Sequence, residues 1–474
     1  MSRIRKILGQ RWPWFTAAAL VIIVYLIYLA QSVRISFQPT PPERPVGTVA
    51  DIEKLAERDD VNVLFILVDT LRADRLSTYG YERPTAPFLD QLAENGVVFG
   101  SHLSQSSWTK SSMASMWTGL YPVRSGVTRF EHVLSPDAKM PAEILAENGF
   151  LTAGLYRNGW VEGYFGFDQG FEVYTRPTSK VVAASVKLAN PTMKEGGTDQ
   201  DASLAAMEFL RIYGDERWFL YMHLMDVHEY LYDEDSAQFG TDYSSVYDNS
   251  VLRINLVLAD FYRYLEHEGY LENTLIVIAS DHGEAFGERG AEGHARWVYR
   301  ETTEVPLIMS FPFRLPGGVV VHQRTQNIDI WPTVLDLLGI EGLGEADGES
   351  RVPALLAAAR NESPAGEGAA FAHLDQNWGR RGADVDDTLA VLEDGYRYMQ
   401  RKNPDGSLKE ELFNARVDSS ELIDLTGEEK ETTERLRNLA EGYMEKAPPW
   451  DAPAALEIDE IHLNQLRALG YSIP

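Results

Sequence analysis

Four side chains in this 474-residue sequence can share one metal ion: Asp69, Thr109, Asp281 and His282. Asp69 closes the apolar run VNVLFILVDT (61–70), and Asp281 with His282 closes TLIVIASDHGE (274–284). Thr109 lies in the hydroxyl-rich SSWTKSSMASMWTGLYP (106–122), and all four are read as ending strands. Aspartates with an imidazole suit Zn²⁺ or Mn²⁺ better than Ca²⁺, which remains possible. A cation touching the Thr109 oxygen lowers its pKa and orients it, as a threonine nucleophile needs near neutral pH. A single acid or histidine at a strand end is usually structural; the succession of such groups carries the reading. The chain has no cysteine, which excludes disulfides, thiolate metal sites and a cysteine nucleophile.

A second group is His223, Asp226, His228 and His294. His228 and His294 can bind the oxygens of a transferred group, protonate a leaving oxygen or ligate a second metal. The spacing of Asp226 and His228 predicts that they share one face of a strand. His223 then points to the opposite face and reads as a core residue or a support for a neighbouring ligand.

These groups need a scaffold that converges strand ends. Apolar β-branched runs at 61–70, 218–228, 274–284 and 305–312 alternate with helical patterns at 86–96, 141–150, 244–268 and 328–340. That alternation predicts an α/β fold with a mostly parallel, mixed central sheet and a site at the carboxyl ends of its strands. Residues 388–402 and 411–426 predict a small antiparallel sheet, followed by helices at 427–446 and 456–469. We divide the chain into a basic tail (1–12), a membrane anchor (13–30), a stalk (31–60), a catalytic domain (61–375) and a carboxyl-terminal α+β subdomain (376–474).

PWFTAAALVIIVYLIYLA (13–30) carries no charge and approaches the roughly 20 residues that span a bilayer. Basic residues precede it, so a single pass with the catalytic domain outside, in the periplasm or extracellular space, is expected. The net charge of −28 argues against nucleic acid as a partner.

With these motifs in view, the chain resembles the sulfatase family of the alkaline phosphatase superfamily. The resemblance runs through NVLFILVDTLRADRLSTYGYERPTAPFLDQLAENGVVF (62–99), TKSSMASMWTGLYP (109–122), MDVHEYLY (225–232), SDHGEAFGERG (280–290), GHARWVYRETTEVPLI (293–308) and NIDIWPTVLDLLGI (327–340). It implies metal positions at Asp69, Asp281 and His282, a nucleophile at Thr109, and contacts to the transferred or leaving group at His228 and His294. Arg157 and Asn158 fall near the family's lysine and histidine, and Lys110, Arg157, Asn158 and Asp226 are the expected substrate contacts.

The departures are informative. The family's Cys/Ser-x-Pro-x-Arg reads Thr109-Lys110-Ser111-Ser112-Met113, the second aspartate of the opening pair is Thr70, and a family lysine is His294. A threonine cannot be oxidised to the formylglycine aldehyde, so no formylglycine is expected. The resemblance then implies a threonine-nucleophile branch that cleaves phosphate esters or phosphonates with one metal. Sulfuric ester hydrolysis, phosphoethanolamine or phosphoglycerol transfer and a non-catalytic binding role are the alternatives. The implied substrate is a small-molecule, lipid or glycan phosphate or sulfate ester.

Overall fold

The computed structural model describes residues 44–177, 197–362, 366–403 and 405–451. The expected anchor at 13–30 and helix at 456–469 lie outside the described residues. Among the described residues, no helix is long and apolar enough to cross a membrane.

All seven residues of NVLFILV are buried, and they form the central strand β1 (Asn62–Val68). Seven more strands join it: β2 (Val97–Phe99), β3 (Leu151–Tyr156), β4 (Val173–Thr175), β5 (Trp218–Leu224), β6 (Thr274–Ala279), β7 (Leu307–Ser310) and β8 (Val319–Val321). Their order is β8-β2-β7-β6-β1-β5-β3-β4. β7 alone runs against the others, pairing antiparallel with both β6 and β2. The mixed, mostly parallel sheet is as the sequence predicts.

Strand alternation sends β1 side chains to two cores. Val63, Phe65 and Leu67 pack with α2 (Thr109–Thr118) and α6 (Ile330–Leu337), through Trp117 and Trp331. Leu64, Ile66 and Val68 pack beneath α1 (Pro87–Glu94), α4 (Asp199–Tyr213) and α5 (Tyr243–His267). The helix α3 (Pro141–Glu147) leads into β3. A sheet covered on both faces needs the near-continuous apolar strands seen in the sequence. Each large side chain buried this way contributes roughly 1.5–3 kcal/mol. Trp117 stacks on Trp331 at 5.1 Å and meets Phe65 and Tyr221 edge-on, so a fixed aromatic floor lies beneath α2.

A four-stranded antiparallel sheet follows, β9 (Ala370–Asp375), β10 (Asp387–Glu393), β11 (Tyr396–Lys402) and β12 (Leu408–Asn414), packed on α7 (Lys430–Met444). Its first strand begins ahead of the boundary read from the sequence. The strand expected at 411–426 ends at Asn414, and residues 415–429 form turns and loop.

Candidate metal and nucleophile site

The neighbours β3, β5, β1 and β6 are parallel, so their carboxyl ends open on one edge. Asn158 follows β3, the turn with His228 follows β5, Asp69 ends β1, and Asp281-His282 follow β6. Thr109 differs from expectation. It is the first residue of α2, preceded by an extended Trp108, because the strand before it stops at Leu103.

The loop after β6 is pinned from several sides. Ser112 Oγ donates to the Asp281 carbonyl at 2.6 Å, and Ser104 Oγ donates to the same oxygen. Ser280 Oγ donates to the His282 carbonyl at 2.8 Å and accepts from Leu71 N–H at 2.9 Å. Gly283 has no substitute: a Cβ there would stand 2.3 Å from the Glu301 carbonyl.

Asp69, Asp281 and His282 are fully buried and offer ligand atoms within 4.8 Å of one another. Asp69 Oδ2 accepts from Asn158 Nδ2 at 2.6 Å and from His223 Nε2 at 3.0 Å. Asp69 Oδ1 and Asp281 Oδ2 accept nothing from any donor among the described residues. Two buried carboxylate oxygens with no donor are costly unless a cation meets them. His282 supplies the third ligand. Its Nδ1 faces the Gly283 carbonyl at 3.0 Å, which places the proton there and leaves the Nε2 lone pair facing the carboxylates. The residues therefore fit a divalent cation with oxygen and nitrogen ligands.

The charges agree. Burial opposes the Asp69 anion, yet the imidazoles of His228, His223 and His282 hold its pKa below the usual carboxylate value. Burial and then the facing Asp69 charge raise Asp281. Thr70 completes the corner: its N–H donates to Asp281 Oδ1 at 3.3 Å, its hydroxyl to the Asp69 carbonyl at 2.6 Å, and its φ is +61°.

Thr109 Oγ1 lies 3.1 Å from His282 Nε2 and 3.3 Å from Asn158 Nδ2. The His294 ring centroid lies 4.5 Å from that of His282 and 5.0 Å from that of His228, with both pairs tilted. Burial lowers His228 to about 4. Burial acts against the His294 cation too, but Glu284, together with Asp69 and Asp281, raises the pKa of that imidazole.

Thus Asp69, Thr109, Asn158, Asp281, His282, His228 and His294 converge. Lys110, Arg157 and Asp226 point elsewhere. Lys110 Nζ donates to the Phe130 carbonyl at 2.7 Å and sits 3.3 Å above the Phe165 ring. Arg157 is occupied by Asp199, Asp226, Glu229 and the Gly197 carbonyl. Asp226 accepts from Arg157, Arg253 and Asp199 N–H. The predicted shared face of Asp226 and His228 fails because β5 ends at Leu224, so strand alternation no longer applies. The sequence reading missed Glu284, whose carboxylate meets His294 Nδ1 at 3.2 Å. It also missed Tyr221, whose hydroxyl meets His223 Nδ1 at 2.6 Å. The signals were present, Glu284 inside SDHGE and Tyr221 two residues before His223 on one strand.

Comparisons with known proteins identify the fold and the family. Arylsulfatase K of Xenopus laevis is 21% identical over 419 residues, covering 74% of this chain and 76% of that protein. A structure of a protein in complex with its substrate D-glucosamine-2-N,6-O-disulfate superposes with TM-score 0.64 at 18% identity, covering 81% of this chain and 97% of that one. Phosphonate monoester hydrolase of Agrobacterium radiobacter superposes with TM-score 0.63 at 17% identity, covering 81% and 95%. Residues 287–443 match the family model described as N-sulphoglucosamine sulphohydrolase, C-terminal. Residues 61–340 match the model described as Sulfatase. That second match spans more than half of the sequence, so this chain belongs to the sulfatase family of the alkaline phosphatase superfamily and is an ester hydrolase.

Proposed function

We propose that this chain is a metal-dependent hydrolase of sulfuric esters in which the Thr109 hydroxyl is the nucleophile. The observation that carries the reading is the Thr109 oxygen 3.1 Å from His282, beside the two donorless carboxylate oxygens. The sulfuric ester, an alternative at the level of sequence, has more support than the phosphate or phosphonate ester. The named relative is an arylsulfatase, and one structural neighbour has a sulfated glucosamine as its substrate. A sulfated glycan is therefore the favoured substrate class. Phosphate or phosphonate cleavage stays as the second reading, because Thr109 excludes formylglycine and another neighbour is a phosphonate monoester hydrolase.

Asp69, Asp281 and His282 would hold the cation, for which we favour Zn²⁺ or Mn²⁺. Its Lewis acidity would lower the pKa of a nearby hydroxyl and offset charge on a transferred group. The Thr109 hydroxyl would give up its proton to solvent as the cation lowers its pKa; Oγ1 then attacks sulfur in line, and the bond from sulfur to the ester oxygen breaks. The departing oxygen takes a proton from His294. Water then attacks the sulfur of the threonine ester, returns one proton to His294 and carries the other away in the released hydrogensulfate, which frees the Thr109 oxygen for the next turnover. Asn158 steadies both Asp69 and Thr109 through one amide. We further propose that residues 13–30 anchor the enzyme with its catalytic domain outside, a reading supported by their uncharged run.

The test is turnover of 4-nitrophenyl sulfate, phosphate and phenylphosphonate, each with Zn²⁺, Mn²⁺ and Ca²⁺. Sulfate turnover should exceed the others, and Thr109→Ala should lower it by about 10³-fold or more. A Thr109→Ala variant with wild-type turnover on every ester would overturn the nucleophile. Preference for a phosphorus ester would select the second reading.

A further inference from the structure

Glu284 is two residues beyond a metal ligand, yet its carboxylate does not join the cluster at Asp69, Asp281 and His282. It is 2% exposed and turns to His294, with Nδ1 at 3.2 Å from Oε2 and 3.4 Å from Oε1. A carboxylate accepts, so His294 Nδ1 carries a hydrogen and Nε2 lies at the far edge of the ring. Backbone structure fixes both partners. Glu284 N–H donates to the Glu301 carbonyl at 3.1 Å, and its carbonyl accepts from Arg72 Nη1 at 2.8 Å. A short hairpin pairs Ala285 with Gly293, which returns the chain so that His294 comes back beside Glu284. Beyond His294, Ala295 N–H donates to the Ser107 carbonyl at 2.8 Å, and Trp378 Nε1 donates to the Ala295 carbonyl at 3.1 Å. The imidazole is thus oriented by Glu284 at one edge and lies against the His282 and His228 rings.

We propose that Glu284 is a positioning residue for His294: it accepts the hydrogen bond from Nδ1, fixes the ring and directs Nε2 to the departing ester oxygen. This rests on the reading of His294 as the proton donor. The competing explanation is a buried acid that only secures the hairpin. The two differ in leaving-group dependence, because a poor leaving group needs the donated proton and 4-nitrophenolate does not.

The experiment uses full-length protein with Glu284→Gln and Glu284→Ala, on 4-nitrophenyl and alkyl esters of the acid that the wild type cleaves. Both variants should lose about 10²-fold in kcat on the alkyl ester, with KM unchanged and the 4-nitrophenyl rate nearly kept. Equal losses on both esters, or none, would overturn the proposal. A second measurement is independent of turnover: ¹⁵N NMR of histidine-labelled protein should find His294 protonated at Nδ1, and should find that preference lost in Glu284→Ala, which removes the acceptor. An unprotonated Nδ1 in the wild type would also overturn it. If the wild type cleaves no ester, the proposed function fails, and the nitrogen spectrum alone decides the Glu284 arrangement.

Discussion

His223 donates from Nε2 to Asp69 Oδ2 at 3.0 Å while its Nδ1 accepts from the Tyr221 hydroxyl at 2.6 Å. The strand core thereby orients a metal-facing carboxylate: with Asn158 on the same oxygen, Asp69 Oδ1 is left as the free acceptor. Replacing His223 by leucine should weaken divalent-metal binding by about 10–100-fold without unfolding the protein. Equilibrium dialysis with Mn²⁺, alongside circular dichroism, measures both. Unchanged affinity would show that Asp69 needs no such support.

Chelation should destabilise the protein, since Asp69 Oδ1 and Asp281 Oδ2 are then buried with neither a cation nor a donor among the described residues. Restoring a cation at one hundred times its Kd should return about 2.7 kcal/mol, read as a rise in Tm. The pH dependence has a definite sign. An acid whose folded pKa is raised, as Asp281 is, keeps in the native state a proton that the unfolded chain loses. The metal-free protein therefore loses stability as pH climbs from the ordinary 3.8 through that raised value. Thermal scans with and without chelator across that range should diverge as pH increases.

Asp226 gives a separate pH signature. Burial, then the neighbouring Asp199, raise it from 3.8 to about 6, although Arg157 and Arg253 pull the other way. Its contribution is complete below the unfolded value and disappears as pH rises through about 6. Urea unfolding should fall with a slope approaching 1.4 kcal/mol per pH unit, about one proton, across this window. Asp226→Asn should lack that component. An identical pH profile in the variant would refute the assignment.

Lys110 follows the nucleophile in sequence but not in space. Burial pushes its amine well below the usual lysine range, and its ammonium site lies between the Phe130 carbonyl and the Phe165 ring. Lys110→Met should leave KM unchanged and lower stability by about 1 kcal/mol through the lost hydrogen bond. A raised KM would restore Lys110 as a substrate contact.

Such differences mark what the sequence could convey. Asp69, Asp281 and His282 are legible because apolar runs with β periodicity end on them, and parallel neighbours must end together. The sheet follows from the same runs, although the short β2 and β8 are too brief to stand out. Side-chain direction past a strand end is not legible. Asp226 and His228 separate because the backbone turns after Leu224, and Lys110 turns inward because α2 begins at Thr109. Glu284 could be recognised only once the hairpin was known to bring His294 back to it.

Thr70 holds a last consequence. It occupies left-handed backbone at φ +61°, where a β-branched residue is strained and aspartate or asparagine is more at ease. The resemblance to the sulfatase opening motif implies an aspartate at this position. A single replacement, Thr70→Asp, would relax the chain and add a third carboxylate beside the cluster, shifting its preference toward harder cations. One residue thus ties the backbone's conformation to the carboxylates around it, and competition between Mn²⁺ and Ca²⁺ for the Thr70→Asp protein measures whether it also sets the choice of ion.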